Sequence, residues 1–226
     1  EGRADYAVLP IENSSAGAVS NNYDLLIKHS NYIVAETQLA VTHALLGLPD
    51  AQLSDIETVY SHPQALMQCS RYLNSHRKWR QISVENTAVA ARKITDDGLK
   101  SQAAVASEIA GKLYGLKVLA PAINHNKDNV TRFIILAPRA VYCEGAGKIS
   151  LCFEAPHKSG SLYNMLGNFI YNQVNMLRIE SRPIEGRSWE YRFFVDVEGS
   201  LRDGAVQNAL KGIAAEAASM RILGTY

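Results

Sequence analysis

No stretch of this chain stays apolar for the length of a membrane span, and none has the charged-then-apolar layout of a secretory leader. Cysteine is scarce: Cys69, Cys143 and Cys152 form an odd, scattered set. That argues against a disulfide framework and fits a reducing compartment, so a cytoplasmic location is expected. Charge of one sign is lacking as well. A formal net charge of +1 with no basic stripe gives no general pull toward nucleic acid, though a local anion site is compatible with it. There is no Gly-rich phosphate loop, the six histidines show no H-E-x-x-H spacing, and the cysteines form no paired motif, so no metal site is expected. Internal repeats and low-complexity segments are missing too. So is an initiator methionine: Glu1 stands just ahead of the strand-like run Asp5–Pro10, and truncation is the favoured reading over processing.

What is present is a chain of 226 residues, 47% apolar and 20% charged, enough for one large or two ordinary domains. From Asp5 to Pro138 short apolar runs alternate with helical stretches, an α/β pattern. Strands are expected over 6–11, over 32–46 as one or two, and over 56–60, 80–84, 103–106, 116–120 and 132–136, the last two completing one sheet. A helix is expected over 22–29. Pro63 suits the first turn of another, carrying Leu66, Cys69, Tyr72 and Leu73 at helical spacing. Asn86 or Thr87 is placed to cap a helix through Ala88, Ala91 and Ile94, and Ser107 one closed by Gly115. Between Pro138 and Lys148 the pattern breaks, with Gly145-Ala-Gly147 as a hinge. Afterwards the order is strand 149–154, helix 161–171 with Leu162, Leu166, Phe169 and Ile170 inward, strands 175–184 and 191–197, a helix through Val206, Leu210, Ile213 and Ala217, and strand 220–223. That is a ferredoxin-like βαββαβ unit.

Polar boxes fall just past strand ends: Glu12-Asn13-Ser14-Ser15, Ser61-His62-Pro63-Gln64 and Glu85-Asn86-Thr87. A fourth, Asn129-Val130-Thr131-Arg132-Phe133, opens an apolar strand. In α/β sheets ligands bind beyond the carboxyl ends of strands, where helix N-termini present free N–H groups to a carboxylate. Gln68 lies one turn past Gln64 on the same helix face. Asn13, Ser61, Gln64, Gln68 and Glu85 are therefore candidates to converge on one cleft. For each residue alone a plainer role competes: Asn13, Ser61 and Asn86 as caps of helices or turns, His62 as the start of the Pro63 helix, Glu85 as a first-turn acid. Ser61 beside His62 makes no triad, because neighbouring side chains seldom face each other. Two glycosylation sequons, at Asn13 and Asn129, are treated as coincidental.

Pro10-Ile11-Glu12-Asn13-Ser14, Ser61-His62-Pro63-Gln64 through Gln68-Cys69, Asn86-Thr87-Ala88 and Thr131-Arg132-Phe133 resemble the prephenate dehydratases, especially the dehydratase part of bacterial bifunctional enzymes that also carry a chorismate mutase. In the tail, Gly160-Ser161-Leu162 and Glu180-Ser181-Arg182-Pro183 resemble the phenylalanine-sensing motifs of an attached ACT domain. The resemblance implies a catalytic region over 1–144, with two lobes like type II periplasmic binding proteins and the first lobe largely missing. An ACT regulatory domain over 145–226 would follow. It implies decarboxylative dehydration of prephenate to phenylpyruvate without a cofactor, since aromatisation makes the step strongly downhill. Thr131 would be the residue most tied to catalysis, with Asn13, Ser61, Gln68 and Glu85 at further active-site positions. Gln64, Asn86, Thr87 and Arg132 are substrate-binding candidates, Arg132 pairing with a carboxylate or equally bracing its strand. L-phenylalanine would bind at Gly160, Ser161, Leu162, Glu180, Ser181, Arg182 and Pro183, at the interface of a homodimer or higher oligomer. Ser161 departs from the family's small apolar residue. Arogenate dehydratase and a non-catalytic amino-acid sensor are the rival functions, and the chain alone is expected to be weakly active or inactive.

Overall fold

In the computed structural model, residues 4–141 and 144–226 are described. The chain forms two compact units, one from 1–39 with 131–226 and one from 40–130, so it crosses from one to the other twice. Cys143, the third cysteine, and Tyr142 lie outside the described residues.

The first unit begins with β1 (Ala7–Asn13), the short β2 (Gly17–Ala18), α1 (Ser20–Lys28) and β3 (Tyr32–Ala40). The second unit holds β4 (Ala44–Gly47), β5 (Thr58–Ser61), α2 (Pro63–Gln68), α3 (Ser70–Ser75), β6 (Arg80–Ser83), α4 (Thr87–Asp97), β7 (Gln102–Ala106), α5 (Glu108–Leu113) and β8 (Lys117–Ala120). Its five strands lie in the order β6-β5-β7-β4-β8, parallel from β6 to β7 and antiparallel around β4. Every residue of β4 is buried, so this strand is covered on both faces, and Val59, Leu66, Leu73 and Val105 fill the core on one of them. The expected Pro63 helix is divided into α2 and α3 at Cys69, whose φ of −106° and ψ of 5° leave the helical region.

The chain then returns to the first unit with β9 (Val130–Ala137), β10 (Lys148–Glu154), α6 (Ser161–Tyr171), β11 (Met176–Pro183), β12 (Tyr191–Glu198), α7 (Gly204–Glu216) and β13 (Ser219–Thr225). From β10 to β13 the order is βαββαβ, with the strands as β11-β12-β10-β13 and α6 and α7 packed on a core of Leu151, Phe153, Met165, Phe169, Val195 and Ile213. Ile170, expected to face inward, is 68% exposed. At 100° per residue the buried stripe runs through Leu162, Met165, Leu166 and Phe169, and Ile170 falls off its edge.

β9 does not complete the sheet of β8, contrary to the expectation from sequence order. It lies between β3 and β1 in an eight-stranded sheet, β11-β12-β10-β13-β3-β9-β1-β2. The joint of that sheet is a single parallel bridge between Gly224 and Ile33. A Cβ on Gly224 would stand 1.9 Å from the Ile33 carbonyl oxygen, so only glycine allows this approach. Ile11, Ile134, Cys152, Phe194 and Leu223, drawn from both halves, share one buried cluster with Tyr23 and Leu26 of α1.

Candidate functional site

Two polar clusters stand out, one in each unit, and sequence had pointed to part of each. In the first unit Asn13 and Thr131 are direct cross-strand partners of β1 and β9. A bulge between Pro10 and Glu12 inserts one residue into β1 just before them, a device that re-aims side chains near its site. The Asn13 side-chain oxygen, Oδ1, accepts from the backbone N–H groups of Ser15 and Ala16, both at 2.9 Å. This turn fixes which end of the amide faces which way. Nδ2 then donates to the Thr131 hydroxyl oxygen at 2.9 Å. A hydroxyl that accepts from an amide keeps its own proton to donate, so Asn13 turns Thr131 into a positioned hydrogen-bond donor.

Arg132, next on β9, faces the other side of the strand, as alternation requires. Its Nε donates to Glu36 at 2.8 Å and Nη2 to Asp196 at 2.6 Å, while Glu12 lies at 3.9 Å. Burial works to strip the charge, but Asp196 and Glu36 outweigh it and hold the guanidinium more firmly charged than usual. These carboxylates of its own chain are partners that would brace the strand.

In the second unit, Gln68 ends α2 with its side chain buried. Its Oε1 accepts from His43 Nε2 at 3.0 Å and from Asn129 Nδ2 at 3.1 Å. Two donors on the oxygen leave the Gln68 Nε2 hydrogens to donate elsewhere. His43 is held by its backbone: its N–H donates to Asn124 Oδ1 at 3.1 Å, and its carbonyl accepts from Ile123 at 2.8 Å. Burial lowers its pKa, partly offset by the bond to Gln68, so the ring is neutral with the proton on Nε2. Its Nδ1 is buried with no partner among the described residues.

The other candidates are placed differently. Ser61, with no exposed surface, donates to the Val105 carbonyl at 2.6 Å and so ties β5 to β7. Gln64 is half-buried, and its N–H donates to His62 Nδ1 at 3.2 Å, making His62 the N-cap of α2. Asn86 caps α4 by accepting from the Val89 N–H at 2.8 Å, with Thr87 the first helical residue. Glu85 is exposed just ahead of that cap. In the βαββαβ half, Gly160 precedes α6 at a φ of 80°, a backbone that favours glycine, with Ser161 and Leu162 in the first turn. Arg182 pairs with Asp24 at 2.6 Å, Glu180 lies 3.7 Å from Arg178, and Ser181 and Pro183 are exposed along β11.

Sequence reasoning missed His43 and Asn124. His43 stands alone ahead of the buried Ala44-Leu45-Leu46, and a single imidazole at a strand start matches no spacing rule. Burial also sets Cys69 and Cys152 aside as nucleophiles: it pushes the Cys69 thiol up to about 12 and that of Cys152 up to about 11.

The protein is thus of mixed α/β class, with a hydroxyl aimed by an amide in the first unit and a glutamine amide held by an imidazole in the second. Comparison with known proteins narrows this class. A family model described as prephenate dehydratase matches residues 1–141. The bifunctional chorismate mutase/prephenate dehydratase of Escherichia coli (strain K12) is 40% identical, covering 100% of this chain and 59% of its own length. The chloroplastic arogenate dehydratase/prephenate dehydratase 2 of Arabidopsis thaliana is 41% identical, covering 98% and 61%. Among solved structures, a protein described as GqqA, a novel type of quorum quenching acylase, superposes with a TM-score of 0.90 at 34% identity, covering 100% of this chain and 82% of that one. The prephenate dehydratase of Arthrobacter aurescens in complex with L-Phe gives 0.88 at 33%, covering 100% and 76%. The chain belongs to the prephenate dehydratase family. It spans 59% of the length of the Escherichia coli relative. Among the described residues no helix is long and apolar enough to cross a membrane.

Proposed function

We propose that the protein carrying this chain converts prephenate to phenylpyruvate, releasing carbon dioxide and water, in the cytoplasm. The observation that carries the reading is the 2.9 Å bond from Asn13 Nδ2 to the Thr131 hydroxyl. As the ring carboxylate leaves as carbon dioxide, the freed electron pair enters the ring, and the C–O bond at the opposite carbon breaks. The departing oxygen takes up one proton and leaves as water. Thr131 donates a hydrogen bond to that oxygen, and Asn13 polarises Thr131 and keeps it aimed. Gln68 holds Asn129, two residues ahead of Thr131, and so steadies the chain as it enters β9. The substrate's carboxylates are met by neutral dipoles.

Arogenate, with an amino group where prephenate has a keto group, is the second reading, favoured by the activity for which the Arabidopsis relative is named. Acyl transfer of the kind named for GqqA needs a base beside the nucleophile, and the amide on Thr131 is a donor only. The test is an absorbance assay for phenylpyruvate with the whole protein and prephenate as substrate. Turnover saturable in prephenate is expected; its absence, with arogenate turned over, favours the second reading, and inactivity on both refutes a dehydratase.

We read 1–144 as a catalytic region with two lobes like type II periplasmic binding proteins, the first largely missing, and 145–226 as an ACT domain. The βαββαβ order and its own core support the latter. Gly160-Ser161-Leu162 and Glu180-Ser181-Arg182-Pro183 would bind L-phenylalanine where two copies pair, in keeping with the L-Phe complex of the Arthrobacter relative. The edge strand β11 exposes Leu177 and Ile179, apolar surface suited to such pairing. Calorimetry of the whole protein is expected to show L-phenylalanine binding to a dimer, and no heat at millimolar ligand would contradict this.

A further inference from the structure

Arg132 follows Thr131 on β9, and it is held from an unexpected distance. In the order β12-β10-β13-β3-β9, a flat sheet would set β9 and β12 roughly 19 Å apart. Yet Arg132 Nη2 donates to Asp196 of β12 at 2.6 Å, so the sheet is not flat between these strands. Asp196 also accepts from the Ser150 hydroxyl of β10. Ser150 in turn meets the Tyr226 hydroxyl at 2.8 Å, and Tyr226 lies 3.5 Å from Arg132. On the other side Glu36 joins Arg132 to Lys148 at the start of β10. A longer arm runs from Glu12, 3.9 Å from Arg132, to Arg178 at 3.3 Å and from there to Glu180 at 3.7 Å.

The two arms differ in weight. Glu12 is 39% exposed and its contacts are long, so solvent screens them. The Arg132 and Asp196 side chains are 14% and 12% exposed and share a short, charge-assisted bond. Such a buried pair is costly to break and adds little net stability over an apolar pair, so its value lies in fixing geometry. Each strand of the β10–β13 half that touches this cluster therefore has a hold on β9.

We propose that Asp196 is a positioning residue for Thr131: by gripping Arg132 it makes the set of β9 follow β12, and a ligand bound to the β10–β13 half alters turnover through this grip. The proposal rests on the dehydratase reading above. In the whole protein, Asp196→Asn is expected to lower kcat for prephenate about tenfold with KM within about twofold, the pattern of a misaimed donor. L-Phenylalanine should bind within about twofold of the wild-type affinity while inhibiting at least about fivefold more weakly. Asp196→Glu should recover much of both. The ratio of inhibited to uninhibited turnover does not depend on the active fraction, so a merely structural loss leaves it unchanged.

Wild-type kcat and inhibition in Asp196→Asn overturn the proposal, as does lost turnover that tracks lost folded protein with inhibition intact. Should that variant not fold, Ser150→Ala and Tyr226→Phe each remove a hydroxyl that meets two other members of the cluster and should weaken inhibition in the same direction; full inhibition in both overturns it. Should the wild-type protein prove inactive on prephenate, the dehydratase reading fails separately. The grip is then read by hydrogen exchange at the backbone amides of residues 130–133 in this chain. About tenfold faster exchange in Asp196→Asn supports it, and unchanged exchange overturns it.

Discussion

Thr131→Val in the whole protein should lower kcat for prephenate by about 10²-fold or more, the scale on which one preorganised donor is lost. Thr131→Ala should do the same, and Thr131→Ser should keep most of the activity. Valine matches threonine in shape and strand preference, so β9 keeps its register against β1 and the stability of the fold changes little. What disappears is the oxygen that accepts from Asn13 and the O–H that donates to the leaving oxygen. KM should move by a few-fold at most, because the bond matters most as the leaving oxygen gathers charge. Near-wild-type turnover in Thr131→Val would remove the hydroxyl from the mechanism. Retained turnover in Thr131→Ala but not in Thr131→Val would assign the effect to packing instead.

Gln68→Met is expected to act on stability and activity together. The two side chains are close in volume, so the cavity is refilled, but His43 Nε2–H and Asn129 Nδ2–H lose the oxygen to which both donate. A buried donor stripped of its acceptor costs about 1–3 kcal/mol, so a loss of about 2–4 kcal/mol in unfolding free energy is expected from denaturant titration. The bond to Gln68 is what raises the His43 pKa against the lowering effect of burial, so its removal should lower that pKa further, as read by NMR titration. A group whose folded pKa is depressed lends stability above its unfolded value and withdraws it as the pH falls. The variant should therefore lose stability more steeply on acidification than the wild type. Turnover should fall about tenfold or more as Asn129, two residues from Thr131, loses its anchor. An unchanged His43 titration would show that the imidazole and the amide are not coupled.

How much of this was written in the chain differs from element to element. α6 could be read to its exact ends, because Gly160 supplies the left-handed start and the apolar spacing is regular. The βαββαβ order followed from period changes alone. The place of β9 did not: its sequence shows a buried strand but not which sheet takes it, and pairing with β1 across more than a hundred residues is a tertiary outcome. The break at Cys69 was hidden for a similar reason, since a helical stripe of Leu66, Tyr72 and Leu73 survives a small kink.

At the site, the boxes at strand ends located Asn13, Gln68 and Thr131, polar side chains that make their bonds at such junctions. The same rule could not tell a side chain that bonds another side chain from one that ties backbone or completes a cap. Ser61 and Asn86 look alike in sequence to Asn13, yet one ties two strands and the other caps α4. Arg132 was undecided between substrate and brace because its carboxylates, Glu36 and Asp196, lie 96 and 64 residues away. His43 carries no motif at all. Its meaning comes from burial and from Gln68, and only coordinates supply those.

The most direct measurement is a double-mutant cycle on Asn13 and Thr131, with kcat/KM for prephenate read from phenylpyruvate absorbance. If the amide works only by aiming the hydroxyl, Asn13→Ala combined with Thr131→Val should be little slower than Thr131→Val alone. Losses that simply multiply would mean the two side chains act independently, and the account of Thr131 as a donor aimed by Asn13 would be wrong.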